Sequence, residues 1–223
     1  VVLVPTLVPG VNDHDIGNIL NLALERSPTV RAVHFQPVSY FGRFPHPPDD
    51  AERLTLPQLM RRIETQSDGR FKATHFTPPG CENALCSFSA SYLVMPDRSV
   101  KAVGGAGLGS CCPAPIKAES GAAGAIAFVA RQWGAPQQAS TGPQLDSDSC
   151  RCDSNGSMSL DAFLRRAKTH LLSISAMAFQ DVWNLDLDRA RDCCIHIMAP
   201  DTRLVPFCLY NLTGSTGKRL YRL

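Results

Sequence analysis

The sequence lacks the features that mark several large classes of protein. No apolar run approaches the roughly 18 residues that a membrane-spanning helix requires, and the formal net charge is only +2. So small a charge does not indicate a nucleic acid or an anionic membrane as a partner. There is no Ser–His–Asp set, no zinc-protease motif, and no glycine loop between a strand and a helix that would bind phosphate.

Cysteine, in contrast, is present in unusual number and arrangement. The nine cysteines are odd in number, all lie after residue 80, and include the adjacent pairs Cys111-Cys112 and Cys193-Cys194. A secreted disulfide scaffold is normally shorter and has an even number of cysteines. Clustered thiols in a chain of 223 residues therefore favour metal ligation, with disulfides or inert core thiols as the alternatives.

The first part of the chain has the pattern of a parallel α/β sheet. Residues 1–8 form an apolar, β-branched run that is typical of a buried strand, and a Pro9-Gly10 turn follows. Apolar residues at helical spacing predict an amphipathic helix over residues 13–26. A second strand is predicted over residues 30–38, so that strand, helix and strand form a right-handed βαβ unit.

The remainder of the chain alternates between loops and periodic segments. We predict a proline-rich loop over residues 39–50 and a helix that begins at Thr55. Residues 104–157 are rich in Gly, Ala, Ser and Pro, which indicates a loop with a helical piece near residues 121–132. The most regular apolar spacing predicts a helix over residues 160–178.

Two segments repeat one pattern of cysteine, strand, Pro-Asp turn and return strand. They are residues 86–100 and residues 194–205. Both are predicted to be β-hairpins with thiols at their bases, and short rigid hairpins fix metal ligands well. Cys150 and Cys152 lie in a polar loop and are set aside. The candidate metal ligands are Cys81, Cys86, Cys193, Cys194 and Cys208, followed by Cys111 and Cys112, for which a redox role is the alternative.

Several segments resemble radical S-adenosylmethionine (SAM) proteins. VPTLVPGVNDHDIGNI, at residues 4–19, and VRAVHFQPVSYFGR, at residues 30–43, resemble the fifth and sixth strand units of a radical SAM barrel. The closer resemblance is to a branch that includes tetraether lipid synthase and the radical SAM (seleno)protein TrsS. It is carried by HFQPVSYFGRFP, PPGCENALCSF, DVWNLDLDRARDCCIHIMAPD and PFCLYNLT, and it covers most of the chain apart from residues 104–157.

The resemblance implies an α/β fold in two parts. A partial radical-SAM-type parallel (β/α) barrel is expected over residues 1–78, and a cysteine-rich α+β extension over residues 79–223. The resemblance also implies reductive cleavage of SAM by a [4Fe–4S] cluster and hydrogen abstraction by a 5′-deoxyadenosyl radical. The CxxxCxxC motif that holds this cluster in the family is absent from the sequence. We therefore expect the C-terminal portion of such an enzyme, inactive alone.

Two parts of the family's apparatus are expected to remain. The 194–208 segment is similar to the cysteine hairpin of SPASM-type domains, which hold an auxiliary [4Fe–4S] cluster, although Thr202 stands where that pattern prefers Gly. Arg43 is expected to bind the SAM carboxylate or a substrate phosphate, with a surface salt bridge as the alternative. Ligands bind at the C-terminal ends of parallel strands, which places the remaining expected SAM contacts at Thr6, Val8, Gln36 and Pro37, with simple packing of the sheet as the alternative.

The resemblance further implies a cytoplasmic protein with a small-molecule or lipid substrate and an electron donor protein, and with no nucleic acid partner or transmembrane segment. One alternative is a metal-binding structural or electron-transfer module without SAM chemistry, and another is a fragment with ordinary core thiols. His34 and His196 alternate with apolar neighbours in predicted strands, so each is expected to be a sheet residue and not a metal ligand.

Overall fold

The computed structural model describes residues 1–42, 46–78, 83–103, 118–133 and 159–221. Up to residue 78, the elements are β1 (Val2–Leu3), β2 (Thr6–Leu7), α1 (Ile16–Glu25), β3 (Ala32–Pro37), a 3-10 turn (Asp50–Glu52), α2 (Leu56–Gln66) and a second 3-10 turn (Ala73–His75). From residue 83, they are β4 (Ser87–Val94), β5 (Val100–Val103), α3 (Ala118–Trp133), α4 (Leu160–Thr169), β6 (Leu171–Met177), α5 (Leu187–Arg191), β7 (His196–Met198), β8 (Leu204–Pro206) and α6 (Phe207–Tyr210).

Six strands form one mixed sheet. Its spatial order is β1-β3-β6-β4-β5, and β2 also pairs with β3. Strands β1, β2, β3 and β6 are parallel, whereas β4 is antiparallel to β6 and β5 is antiparallel to β4. The α/β class is confirmed. The described strands form an open sheet and not a closed barrel, because an antiparallel hairpin follows β6 where a barrel would continue with a parallel strand.

The predicted strand–helix–strand unit is present, with shorter elements than expected. The strand predicted over residues 1–8 is divided into β1 and β2 at Pro5, which has no N–H to donate to a neighbouring strand. Helix α1 begins later than predicted because Asn12 and Asp13 bind the preceding turn. Asn12 Oδ1 accepts the Val8 N–H at 2.8 Å, and Asp13 Oδ1 accepts the Gly10 N–H at 2.9 Å.

Helix α2 begins as the sequence predicted. Thr55 is its N-cap and forms a capping box with Gln58, in which each side chain accepts the backbone N–H of the other residue. The measured distances are 3.4 Å to Thr55 Oγ1 and 2.9 Å to Gln58 Oε1. A capping box satisfies two backbone donors that the first helical turn leaves without partners.

The prediction of one helix over residues 160–178 is wrong in its second half. Helix α4 ends at Thr169, and residues 171–177 form β6, the strand between β3 and β4. Leu172, Ile174 and Ala176 are fully buried and alternate with half-buried residues, which is the period of a strand. Because Leu171 also fits the helical spacing of α4, the change from a helical to a strand period after α4 was not recognised from the sequence.

Both predicted hairpins are confirmed. In the first, β4 pairs with β5, and in the second, β7 pairs with β8 as a separate two-stranded sheet. Thr202, in the second turn, has a φ of +67°, the left-handed conformation that favours Gly. The helical piece predicted near residues 121–132 is α3, and the rest of the 104–157 loop lies outside the described residues.

The two faces of the six-stranded sheet differ in chemistry. One face packs against α1 and α2 in an apolar core. The opposite face is mixed on the central strands, where Ser, His and Gln stand beside Ala32, Leu171 and Met177. None of the described helices is long and apolar enough to span a bilayer. The core includes Leu7, Leu20, Val33, Phe35, Leu59, Ile63, Phe88, Tyr92, Leu172 and Ile174.

Candidate thiol site at the carboxyl edge of the sheet

A buried ion pair joins the two loops that follow the parallel strands. Asp181, after β6, is fully buried. Its carboxylate accepts hydrogen bonds from both terminal nitrogens of Arg53, at 3.0 and 3.1 Å. The backbone N–H of Tyr40, after β3, donates to Asp181 Oδ2 at 2.9 Å, and that of Trp183 donates to Oδ1 at 3.0 Å. Both carboxylate oxygens therefore have two donors, which compensates for the loss of hydration.

The segment after Asp181 orients helix α5. Gln180 is buried, and its Oε1 accepts the Asp186 N–H at 2.6 Å. Asp186 in turn caps α5, because its Oδ1 accepts the N–H groups of Asp188 and Arg189 at 2.9 and 3.2 Å. The position of Arg189 thus follows from a chain of hydrogen bonds that begins in the buried loop.

Three cysteines lie in the segment of residues 178–195 or contact it, and we call Cys86, Cys193 and Cys208 the thiol cluster. Arg189 Nη2 donates to Cys86 Sγ at 3.3 Å and also to the Ala178 carbonyl at 3.4 Å. The Gln180 N–H donates to Cys208 Sγ at 3.2 Å. Each of these sulfurs is therefore positioned to receive an N–H group, and one donor carries a positive charge.

Cys193 completes the cluster. Its Sγ accepts the Ile195 N–H at 3.4 Å and donates to the Ile195 carbonyl at 3.2 Å. Burial raises the pKa of the Cys208 thiol, and the neighbouring Cys193 and Cys86 thiols raise it further. The Gln180 N–H and Arg189 act in the opposite direction on the same pKa. The pKa of Cys208 therefore responds to both other thiols and to the guanidinium, after the larger effects of burial and of the Gln180 N–H.

Of the other predicted metal ligands, the structure describes Cys194 alone. Cys194 follows Cys193 directly but is exposed, whereas the three thiols of the cluster are half-buried. Cys81, Cys111, Cys112 and the predicted SAM contact Arg43 all lie outside the described residues, as do Cys150 and Cys152. Of the seven predicted metal ligands, the structure thus describes four, Cys86, Cys193, Cys194 and Cys208.

The residue types of the thiol cluster suit a metal centre, but the described arrangement of these residues does not match one. Thiolate sulfurs are the ligands of iron–sulfur clusters, and hydrogen bonds to those sulfurs tune such centres. Among the described residues, however, no group of three or more His, Cys, Asp or Glu side chains is arranged to hold a metal ion. Cys81, which precedes Cys86 by five residues, is outside that set.

The remaining predicted SAM contacts lie at the carboxyl ends of β2 and β3, as the strand-end argument required. Thr6 and Gln36 are register partners on one face of the sheet, where Thr6 is exposed and Gln36 is half-buried. Pro37 pairs with Leu7 and is buried on the opposite face. Val8 is half-buried, and its N–H binds Asn12 Oδ1.

The same edge contains an aromatic group and a small cavity. Phe207, beside Cys208, packs on Phe179 with ring centroids 4.6 Å apart, and Phe41 stands 6.1 Å from Phe207. The cavity has a volume of about 210 Å³ and is lined by Phe41, Gly42, Tyr210, Asn211, Leu212, Thr213 and Arg219.

Sequence reasoning did not single out several residues that build this edge. Asp181, Asn184, Asp186 and Arg189 all lie in the segment DVWNLDLDRARDCC. The available signal was the density of Asp and Asn residues, which cap helices and turns, directly before a cysteine pair. The partner of Asp181, Arg53, had no such signal because it lies 128 positions away.

The comparisons with known proteins support a broad family assignment. No protein-family model matches the chain. The chain is 30% identical over 253 aligned positions to the 7,8-dihydro-6-hydroxymethylpterin dimethyltransferase of Methanocaldococcus jannaschii, with 95% of this chain and 48% of that protein covered. The chain thus spans about half the length of this relative. The similarity supports the radical SAM resemblance at the level of the superfamily and does not extend to the TrsS branch.

Proposed function

We propose that the chain is the C-terminal portion of a radical SAM enzyme and that its thiol cluster, together with Cys81, holds an auxiliary [4Fe–4S] cluster. The observation that carries the proposal is that Cys86, Cys193 and Cys208 each accept an N–H hydrogen bond. An auxiliary [4Fe–4S] cluster supplies an electron-transfer or substrate-binding centre.

The residues of this chain have definable roles in that function. The three sulfurs would hold the metal, and Arg189 would offset part of the negative charge that thiolate ligands bring to a half-buried site. CxxxCxxC is absent from this sequence, so we propose SAM cleavage and hydrogen abstraction for the whole enzyme and not for this chain alone.

SAM binding is proposed at the carboxyl edge of the parallel strands, with contacts from Thr6, Val8, Gln36 and Pro37. Support comes from the position of these residues at the ends of β2 and β3. Arg43 is also proposed to bind the SAM carboxylate, on the basis of the sequence alone. The TrsS and tetraether lipid synthase branch likewise remains part of the proposal.

Two substrate classes follow from the two resemblances. The branch resemblance suggests a lipid or another unactivated carbon. The relative from Methanocaldococcus jannaschii is named for methyl transfer to a pterin, which suggests a heterocycle. In either case we propose a cytoplasmic enzyme that receives electrons from a donor protein.

Anaerobic reconstitution of the chain with iron and sulfide tests the auxiliary cluster. We expect a brown protein with about four irons per chain, as for a thiolate-held [4Fe–4S] cluster. Cys86→Ser, Cys193→Ser and Cys208→Ser should each lose most of the iron. Cys150→Ser is the matched control and should retain it, because Cys150 was set aside as a ligand.

The same experiment separates the alternative function. A colourless protein that binds about one zinc through the same three cysteines would indicate a structural module without SAM chemistry. A chain that binds neither metal would leave only ordinary core thiols and would overturn the proposal.

A further inference from the structure

The cavity beside the aromatic group has no role in the function proposed above. It lies between the loop after β3 and the segment that follows α6, and its volume is about 210 Å³. Phe41 and Leu212 form an apolar part of its wall, and Thr213 and Arg219 form a polar part. None of its described lining residues is a cysteine or one of the residues proposed to contact SAM.

Arg219 gives the cavity a positive charge. Among the described lining residues it alone is charged, since the others are Phe, Gly, Tyr, Asn, Leu and Thr. Arg219 is exposed and forms no ion pair with another residue that the structure describes. A guanidinium presents parallel N–H groups that match the two oxygens of an anionic group such as a carboxylate.

The backbone at Arg219 is held by a short antiparallel pairing. Arg219 and Thr213 are partners in an isolated β-bridge, and the Gly214 N–H donates to the Lys218 carbonyl at 2.7 Å. Gly217 closes the turn with a φ of +79°, a conformation that favours Gly. Directly opposite residues of an antiparallel pair project their side chains on the same side. The side chains of Thr213 and Arg219 are therefore neighbours at the cavity.

Thr213 has a hydroxyl group that the described residues leave unused. Its Oγ1 is buried and has no hydrogen-bond partner among them. A buried hydroxyl without a partner is unfavourable. Rotation about the Cα–Cβ bond exchanges the positions of the hydroxyl and the methyl group. A ligand in the cavity that offers an acceptor would therefore stabilise the rotamer in which the hydroxyl donates to it.

The lining selects among anionic ligands. One guanidinium balances the single charge of a carboxylate, whereas a phosphate monoester carries about −1.5 to −2 at pH 7. A free phosphate ion would also leave the apolar surface of Phe41 and Leu212 uncovered. An uncharged molecule would leave Arg219 without a counter-charge. A small molecule with one carboxylate and an apolar body complements both parts of the wall.

We infer that this cavity is a binding site for a small monocarboxylate, in which Arg219 and Thr213 bind the carboxylate and Phe41 and Leu212 contact the apolar body. The site is next to the thiol cluster, since the rings of Phe41 and Phe207 are 6.1 Å apart and Phe207 directly precedes Cys208. The inference goes beyond the proposed function and does not depend on the metal or on SAM.

A ligand-observed NMR titration of the full chain tests the inference. The probe is phenylacetate, and phenylacetamide is its uncharged match. We expect phenylacetate to bind with a dissociation constant on the order of millimolar and phenylacetamide to bind roughly tenfold more weakly. Arg219→Gln should weaken phenylacetate binding by roughly tenfold or more, and Thr213→Val by roughly three- to tenfold.

Lys218→Gln is the matched control, because it removes one exposed positive charge beside Arg219 that does not line the cavity. This variant should bind phenylacetate as the unaltered chain does. Thermal unfolding of each variant confirms that it is folded. Iron content is measured separately, so failed reconstitution with retained phenylacetate binding would count against the proposed function and not against this site.

Several results would overturn the inference. The first two are the absence of phenylacetate binding at tens of millimolar and equal affinities for phenylacetate and phenylacetamide. The third is an affinity of Arg219→Gln that equals that of Lys218→Gln, which would indicate general attraction to a basic surface. Displacement of phenylacetate by equimolar inorganic phosphate would indicate a phosphate site, and displacement by SAM would indicate that the cavity belongs to the SAM site.

Discussion

Arg189 and Cys86 are 103 positions apart in the sequence, and the folded chain places the guanidinium Nη2 3.3 Å from Cys86 Sγ. Both residues are attached to the sheet, since β4 begins after Cys86 and Arg189 also donates to the carbonyl that follows β6. A charged donor to a thiolate stabilises the negative charge on sulfur and lowers its electron donation to a metal.

Replacement of Arg189 by Gln should therefore shift the reduction potential of the reconstituted cluster to more negative values, by tens of millivolts, because one positive charge and one hydrogen bond are lost. Protein-film voltammetry measures this shift. Arg191→Gln, on the same helix, is the control, since Arg191 is exposed and pairs only with Asp188 in the described structure. Equal potentials for both variants would contradict a role for Arg189 at the thiol cluster.

The Arg53–Asp181 pair should be a major determinant of stability. Asp181→Asn leaves a guanidinium that is 20% exposed without its counter-charge, and Arg53→Met leaves a buried carboxylate. Breaking a buried pair in this way costs about 3–5 kcal/mol. Urea unfolding measures the loss. Asp188→Asn, which breaks the exposed pair with Arg191, should cost less than about 1 kcal/mol. A small effect at Asp181 would mean that its loop is not fixed by the ion pair.

Stability should decrease as the pH falls from 7 to 5. Burial lowers the pKa of His34, and burial, followed by Arg166 and Arg31, lowers that of His170. The unfolded chain therefore takes up protons at higher pH than the folded chain. The free energy of unfolding is thus highest above the ordinary histidine pKa of 6.5 and decreases below it.

Urea midpoints between pH 5 and pH 8 measure this dependence. His34→Gln should flatten it, because a group that does not titrate replaces the imidazole. His14→Gln, at an exposed position, should leave it unchanged. A stability profile that is flat from pH 7 to pH 5 in the unaltered chain would show that neither histidine resists protonation in the folded state.

The elements that could be predicted are those whose determinants lie within a few residues of one another in the sequence. The Thr55 cap, the βαβ unit and both hairpins were found because caps, apolar periodicity and Pro-Asp turns are local features. Strand β6 was missed because Leu171 fits both the helical spacing of α4 and the alternation of a strand. Only the packing of this segment between β3 and β4 shows that it forms a strand and does not continue the helix.

The candidate site was predictable in part for the same reason. Cys86, Cys193 and Cys208 were recognised by residue type, but nothing in the sequence indicated that Arg189 would approach Cys86. His34 was expected to be an ordinary sheet residue, and its strand position is confirmed. Its pairing with Ser175 depends on the register between β3 and β6, which lie 141 positions apart at this contact.

The contact between α1 and α2 provides a prediction about packing. A Cβ atom at Gly17 would overlap the carbonyl oxygen of Gln66 and lie 3.2 Å from its carbonyl carbon. The clash is with backbone, so a change of rotamer cannot relieve it. Gly17→Ala should therefore destabilise the chain by about 1–3 kcal/mol, measured as a lower urea midpoint.

Gly124 in α3 is the matched control for Gly17, because a Cβ atom there meets nothing within 4 Å. Gly124→Ala should leave the fold intact and should favour the helix by about 0.5–1 kcal/mol, since Gly loses more backbone freedom than Ala when a helix forms. Destabilisation by Gly17→Ala together with stabilisation by Gly124→Ala would show that α1 and α2 are in direct backbone contact at Gly17. Stabilisation by both substitutions would show that the helices are farther apart than the structure has them.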